Sequence, residues 1–72
     1  MAQWTHAQYE ALERAIVDGR RIAIHRRGTE YVVIPHRLRL VGARELVESV
    51  HPTTGEPMAF YVDEVDEIQI IK

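Results

Sequence analysis

Apolar positions along this 72-residue chain change their spacing once, at Gly19. Before it, Tyr9, Leu12, Ala15 and Ile16 recur at three- and four-residue steps, with Gln8, Glu10, Arg14 and Asp18 mostly off that line. This is the stripe of an amphipathic helix. Thr5 and Gln8 stand at the two positions of a capping box, and Trp4 and Tyr9 at the two positions of a hydrophobic staple, so the helix is expected to begin at residue 5 or 6. Gly19 suits a left-handed cap, and Arg20 and Arg21 follow where positive charge complements the carbonyl end.

After Gly19 the period falls to two, the spacing of strands with one buried face. Ile22 and Ile24 alternate with Arg21, Ala23 and His25; Arg26 to Thr29 reads as a hairpin turn; Tyr31 to Ile34 is a second strand. Pro35 cannot donate to a ladder, and so marks a strand end, a bulge or an edge. Leu38 and Leu40 then alternate with Arg37 and Arg39, and Gly42 offers another turn. Leu46 to Val50 and Met58 to Val62 read as strands around a turn-rich segment from His51 to Pro57. Asp63 to Glu67 reads as a polar connection with one turn of 3₁₀ helix, before a final strand from Ile68 to Ile71. One helix followed by about five short strands predicts an α+β domain over residues 1–72. The helix is expected to cap a small, highly bent sheet or partly open barrel.

Composition narrows the class. With 46% hydrophobic and 28% charged residues the chain is too apolar for disorder, and no apolar run approaches the roughly 18 residues of a membrane span. The absence of cysteine excludes disulfides and thiolate metal sites. The first residues lack a basic segment followed by an apolar one, so a cytoplasmic location is expected. A domain this small buries only roughly 60% of the surface its unfolded chain exposes, which makes oligomerisation a common remedy.

The net charge of −2 conceals a segregation. Between residues 14 and 44, eight arginines face only Asp18 and Glu30, a balance of +6; from residue 45 onward, seven acids face only Lys72, a balance of −6. Such asymmetry is consistent with an anionic partner for the basic part, or with two halves that interleave and neutralise each other.

The order of elements, together with particular residues, resembles the WYL domain, an Sm-like β-barrel module of bacterial transcription regulators and CRISPR-associated proteins. The resemblance covers about residues 12 to 71. It begins at Ala15 to Ile24, where a helix ends in glycine and leads into the first strand, and continues through Gly28, Tyr31, Val33, Pro35 and Leu38. Gly42 and Leu46 match the glycine and leucine around the namesake motif, and Gly55, Phe60, Val62, Asp63 and Val65 match the stretch before the final strand. Arg44 and Glu45 stand where the family has tryptophan and tyrosine, and Glu64 where it often has arginine. The resemblance implies a five-stranded Sm-like or SH3-like antiparallel barrel and, on a face lined by arginines and aromatics, binding of nucleic acid or a nucleotide-like ligand.

Arginine's planar fork suits phosphate better than lysine's point charge, and eight arginines against one lysine is a biased choice. Arg21, Arg26, Arg27, Arg37, Arg39 and Arg44 are therefore the candidate anion contacts, with Tyr31 and His36 available to stack on a base. The four histidines, at 6, 25, 36 and 51, lack the spacing of a compact zinc motif, so no metal or other cofactor is expected. Ser49 is the only serine and lies in no nucleophile elbow, nor is there a glycine-rich phosphate loop, so an enzyme is not expected. The expected function is a regulatory or accessory module that binds single-stranded nucleic acid or a small anionic ligand. The alternative is an interaction or homo-oligomerisation module, in which the acids of residues 63–67 meet the arginine face of a neighbour.

Overall fold

The computed structural model describes residues 4–71. Helix α1 runs His6–Asp18, followed by β1 (Ile22–Arg26), β2 (Thr29–Val41), β3 (Arg44–Val50), β4 (Pro57–Tyr61), a 3₁₀ turn (Val62–Glu64) and β5 (Glu67–Ile70). The sequence signals for the helix are all realised. The Thr5 hydroxyl accepts from the Gln8 N–H, the Gln8 side chain accepts from the Thr5 N–H, and Gly19 closes the helix at φ 67°. The Trp4 and Tyr9 rings meet with centroids 5.3 Å apart.

The five strands form one antiparallel sheet in the order β4-β3-β2-β1-β5. The sheet is not closed into the expected barrel: β4 and β5 remain its two edges, with no ladder between them. The sheet bends because β2, 13 residues long, changes partners along its length. Thr29 to Val33 pair with β1, and Ile34 to Val41 pair with β3. The two strands expected on either side of Pro35 are thus one strand. Pro35 is tolerated because it sits where β2 leaves β1 and joins β3, beside an irregularity in the ladder.

The residues buried between helix and sheet are Leu12 and Ala15 from α1, Ile22 and Ile24 from β1, Val33 from β2, Val47 from β3, Phe60 from β4 and Ile68 from β5, with Val62 and Val65 beside the 3₁₀ turn. Helix α1 packs against β2 and β5. Among the described residues no helix is long and apolar enough to cross a membrane.

Candidate functional site

The irregularity in β2 decides which way its arginines point. Pro35 pairs with Ser49 and Arg37 with the very next residue, Glu48, so His36 is an extra residue bulged out of the ladder. Before the bulge, Val33 and Pro35 face the core; after it, Leu38 does, opposite Val47 and Phe60. A one-residue slip exchanges the faces of a strand. Were the ladder unbroken through His36, the parity of Val33 and Pro35 would carry Arg37 and Arg39 into the core. With His36 bulged out, both lie on the outer face.

Cross-strand partners share a face, so register defines the rest of this surface. Arg39 opposes Leu46, which opposes Tyr61; Arg37 opposes Glu48, which opposes Ala59; Arg44 lies two residues before Leu46. Arg37, Arg39 and Arg44 therefore share the outer face, with the exposed His36 at its edge. Beside His36 a shallow cavity of about 490 Å³ continues over Glu48, Val50, Pro57 and Met58.

These arginines are matched by acids of the same chain. Glu48 lies 3.0 Å from Arg37 Nε through one carboxylate oxygen and 3.3 Å from Arg39 Nε through the other. The Arg44 guanidinium donates to both oxygens of Asp63, at 2.9 and 2.8 Å, and to Glu64 at 3.0 Å, while stacking 3.7 Å above the Tyr61 ring. These bonds hold the Asp63 carboxyl below its ordinary pKa and raise that of Arg44. The acids of the 3₁₀ turn thus meet arginines of their own chain.

The remaining candidates lie elsewhere. Arg26 and Tyr31 point along the core side: the Arg26 guanidinium sits 5.2 Å from the Tyr31 ring centroid and 5.4 Å from that of Phe60, donates to the Tyr31 hydroxyl at 3.4 Å and approaches Glu64 at 3.9 Å. Tyr31 is half-buried against Phe60, with 5.2 Å between the rings, which makes it a packing residue rather than an open stacking platform. Arg27 occupies the β1–β2 turn with Gly28, both at positive φ as a type I′ turn requires. Its side chain is exposed, and its N–H donates to Asp66 at 3.3 Å. Arg21 is exposed between α1 and β1. Of the eight candidate residues, then, the fold brings together Arg37, Arg39, Arg44 and His36, pairs Arg26 with Tyr31, and leaves Arg21 and Arg27 apart.

Two contributors were missed from the sequence. Glu48 and Tyr61 are defined as partners only by the β2–β3–β4 register, and the one available signal for it, the bulge beside Pro35, was legible only as one of three options.

Neither a protein-family model nor a curated protein sequence matches the chain. A solved structure does. The fold is similar to part of the proteasome accessory factor B/C (PafBC) of Arthrobacter aurescens, with a TM-score of 0.76 and 20% sequence identity. The match covers 97% of this chain and 12% of that one, so this chain spans a small fraction of that protein's length. At this identity the likeness is one of fold: a small α+β domain with one helix and a five-stranded antiparallel sheet.

Proposed function

We propose that this chain is a non-enzymatic regulatory or accessory module, akin to the WYL and Sm-like domains its residues resemble, that binds single-stranded nucleic acid or a small nucleotide-like anion on the outer face of β2 and β3. The observation that carries the reading is the pair Arg37 and Arg39, held side by side on an exposed face with a single carboxylate, Glu48, between them. Two guanidiniums against one carboxylate leave a positive balance, and both arginine side chains remain about half exposed. A phosphate is a stronger bidentate acceptor than a shared carboxylate and offers a third oxygen. His36 lies beside the pair and Arg44 extends the same face. The likeness to a segment of a protein named as an accessory factor supports a module within larger machinery. Ser49, the one serine, has its hydroxyl buried among core residues, which argues against a nucleophile.

Fluorescence anisotropy with a labelled single-stranded oligonucleotide tests the reading. Binding at about 50 mM salt should weaken as salt rises, with a log–log slope of about −0.7 per phosphate contacted. Replacing Arg37 and Arg39 together by alanine should abolish it. No binding at low salt overturns the proposal.

A second reading, an interaction or self-association module, draws on a different observation. Arg26 and Arg44 are already engaged by Asp63 and Glu64, and the edges β4 and β5 carry backbone groups without a strand partner. Sedimentation showing a monomer at every concentration would argue against self-association.

A further inference from the structure

A second cavity, of about 500 Å³, opens on the other side of Arg44, lined by Trp4, Tyr9, Ala43, Arg44, Glu45, Val62 and Asp63. Its electrostatics are opposite to those of the arginine face. Arg44, the one cation in its wall, is bound by two carboxylates, those of Asp63 and Glu64. Glu45 is half-buried, and the only bond it makes among the described residues is to the Tyr9 hydroxyl, which donates to Oε1 at 2.6 Å. No cation among the described residues pairs with it. A half-buried carboxylate that accepts one hydrogen bond from a neutral hydroxyl keeps acceptor capacity for a cationic donor.

The aromatic walls specify what kind of ligand would do so. Trp4 is fixed by its indole N–H, which donates to the Val65 carbonyl at 3.1 Å, and its ring leans against Tyr9 at 51°. Aromatic faces beside a carboxylate favour an organic cation over a hydrated metal ion, because the ring quadrupole rewards a poorly hydrated charge. A guanidinium fits best: it is planar, stacks on indole, and donates two parallel N–H bonds to a carboxylate.

We infer that the Trp4–Tyr9–Glu45 cavity binds an alkylguanidinium, with Glu45 as its counter-ion and Trp4 as its stacking surface. The group is supplied either by an arginine side chain of a partner protein or by a free arginine-like molecule. The site is separate from Arg37 and Arg39 and stands whether or not that face binds an anion.

Trp4 is the only tryptophan, so its emission reports on the cavity directly. The wild-type chain is titrated with Nα-acetylarginine amide, with the same amide of citrulline as a neutral isostere, and with a short glycine-serine peptide carrying one arginine. Saturable emission changes with the arginine probes and none with citrulline are expected. Glu45→Gln should weaken binding by about tenfold, the worth of a hydrogen bond to a charged group, while the Arg37→Ala, Arg39→Ala double variant should leave it unchanged. Tighter binding of the peptide than of the amide assigns the source to a protein partner, and equal binding to a small molecule. The comparison with citrulline needs no variant, so it holds even if Glu45→Gln fails to fold. No saturable response to either arginine probe, an equal response to citrulline, or an unchanged response in folded Glu45→Gln overturns the inference.

Discussion

Tyr9 shows how a single contact ties a helix to a distant strand. Its hydroxyl, bound to Glu45 across 36 positions of sequence, has its pKa pushed up to about 12, first by that hydrogen bond, then by burial and by the carboxylate's charge. All three effects favour the neutral phenol. The folded value exceeds the unfolded one, so the contribution to stability is complete below the ordinary phenol value and is lost as pH rises from there through about 12. In an ultraviolet absorbance titration one of the three tyrosines should ionise near pH 12, and Glu45→Gln should return it toward the ordinary range. Ser49 is the opposite case: 3% exposed, with no hydrogen-bond partner for its hydroxyl among the described residues. Burying an unpaired hydroxyl costs free energy, so Ser49→Ala should raise stability by about 1 kcal/mol. Urea denaturation measures this, and a loss of stability would mean that the hydroxyl is satisfied after all.

At the scale of elements, α1 and the bulge of β2 carry the most weight. The Thr5–Gln8 box satisfies two of the helix's otherwise unpaired backbone donors, and Thr5→Ala should lower stability by about 1 kcal/mol in the same urea assay. Deleting His36 tests the bulge. Pro35 and Arg37 already pair with the adjacent Ser49 and Glu48, so the shortened strand can form an unbroken ladder with Arg37 and Arg39 still on the outer face. The deletion is expected to keep a sigmoidal denaturation curve, and loss of it would mean that the bend of the sheet depends on the extra residue. The β1–β2 turn carries a different cost: Arg27, at φ 50°, is the only described residue other than glycine with positive φ. Asparagine is the better residue there, so Arg27→Asn should stabilise the hairpin by a few tenths of a kcal/mol.

For the whole molecule, the outcome of charge segregation is pairing. The +6 and −6 blocks of sequence are brought together by the sheet: Glu48 lies between Arg37 and Arg39, and Asp63 and Glu64 hold Arg44, with Arg26 reaching Glu64 from the other side. Exposed pairs of this kind contribute little to stability, because water screens them and ordering the side chains costs entropy. Their larger effect is on binding. Glu48 competes with any phosphate for the same two guanidiniums, so Glu48→Gln should strengthen oligonucleotide binding several-fold in the anisotropy assay while changing stability little. A weakening would mean that Glu48 orients the arginines for their ligand instead of competing with it.

The helix was legible from residue order because every signal for it is local: the cap, the staple, the stripe and the terminal glycine all act within a few residues of one another. The hairpin at Arg27-Gly28 and the turn-rich segment from His51 to Pro57 were legible for the same reason. Pro35 limits that kind of reading. Locally it ends a strand, and only the change of partner from β1 to β3 allows one strand to run through it. Whether the sheet closes depends on how far β4 and β5 lie apart after that bend, a distance no local pattern encodes. Charge was readable as a total along each segment, but pairing is a property of register. Tertiary structure alone therefore decided that Glu48 would divide itself between two arginines, that Arg44 would be held by Asp63 and Glu64, and that Glu45 would face an aromatic cavity with no cation paired to it among the described residues.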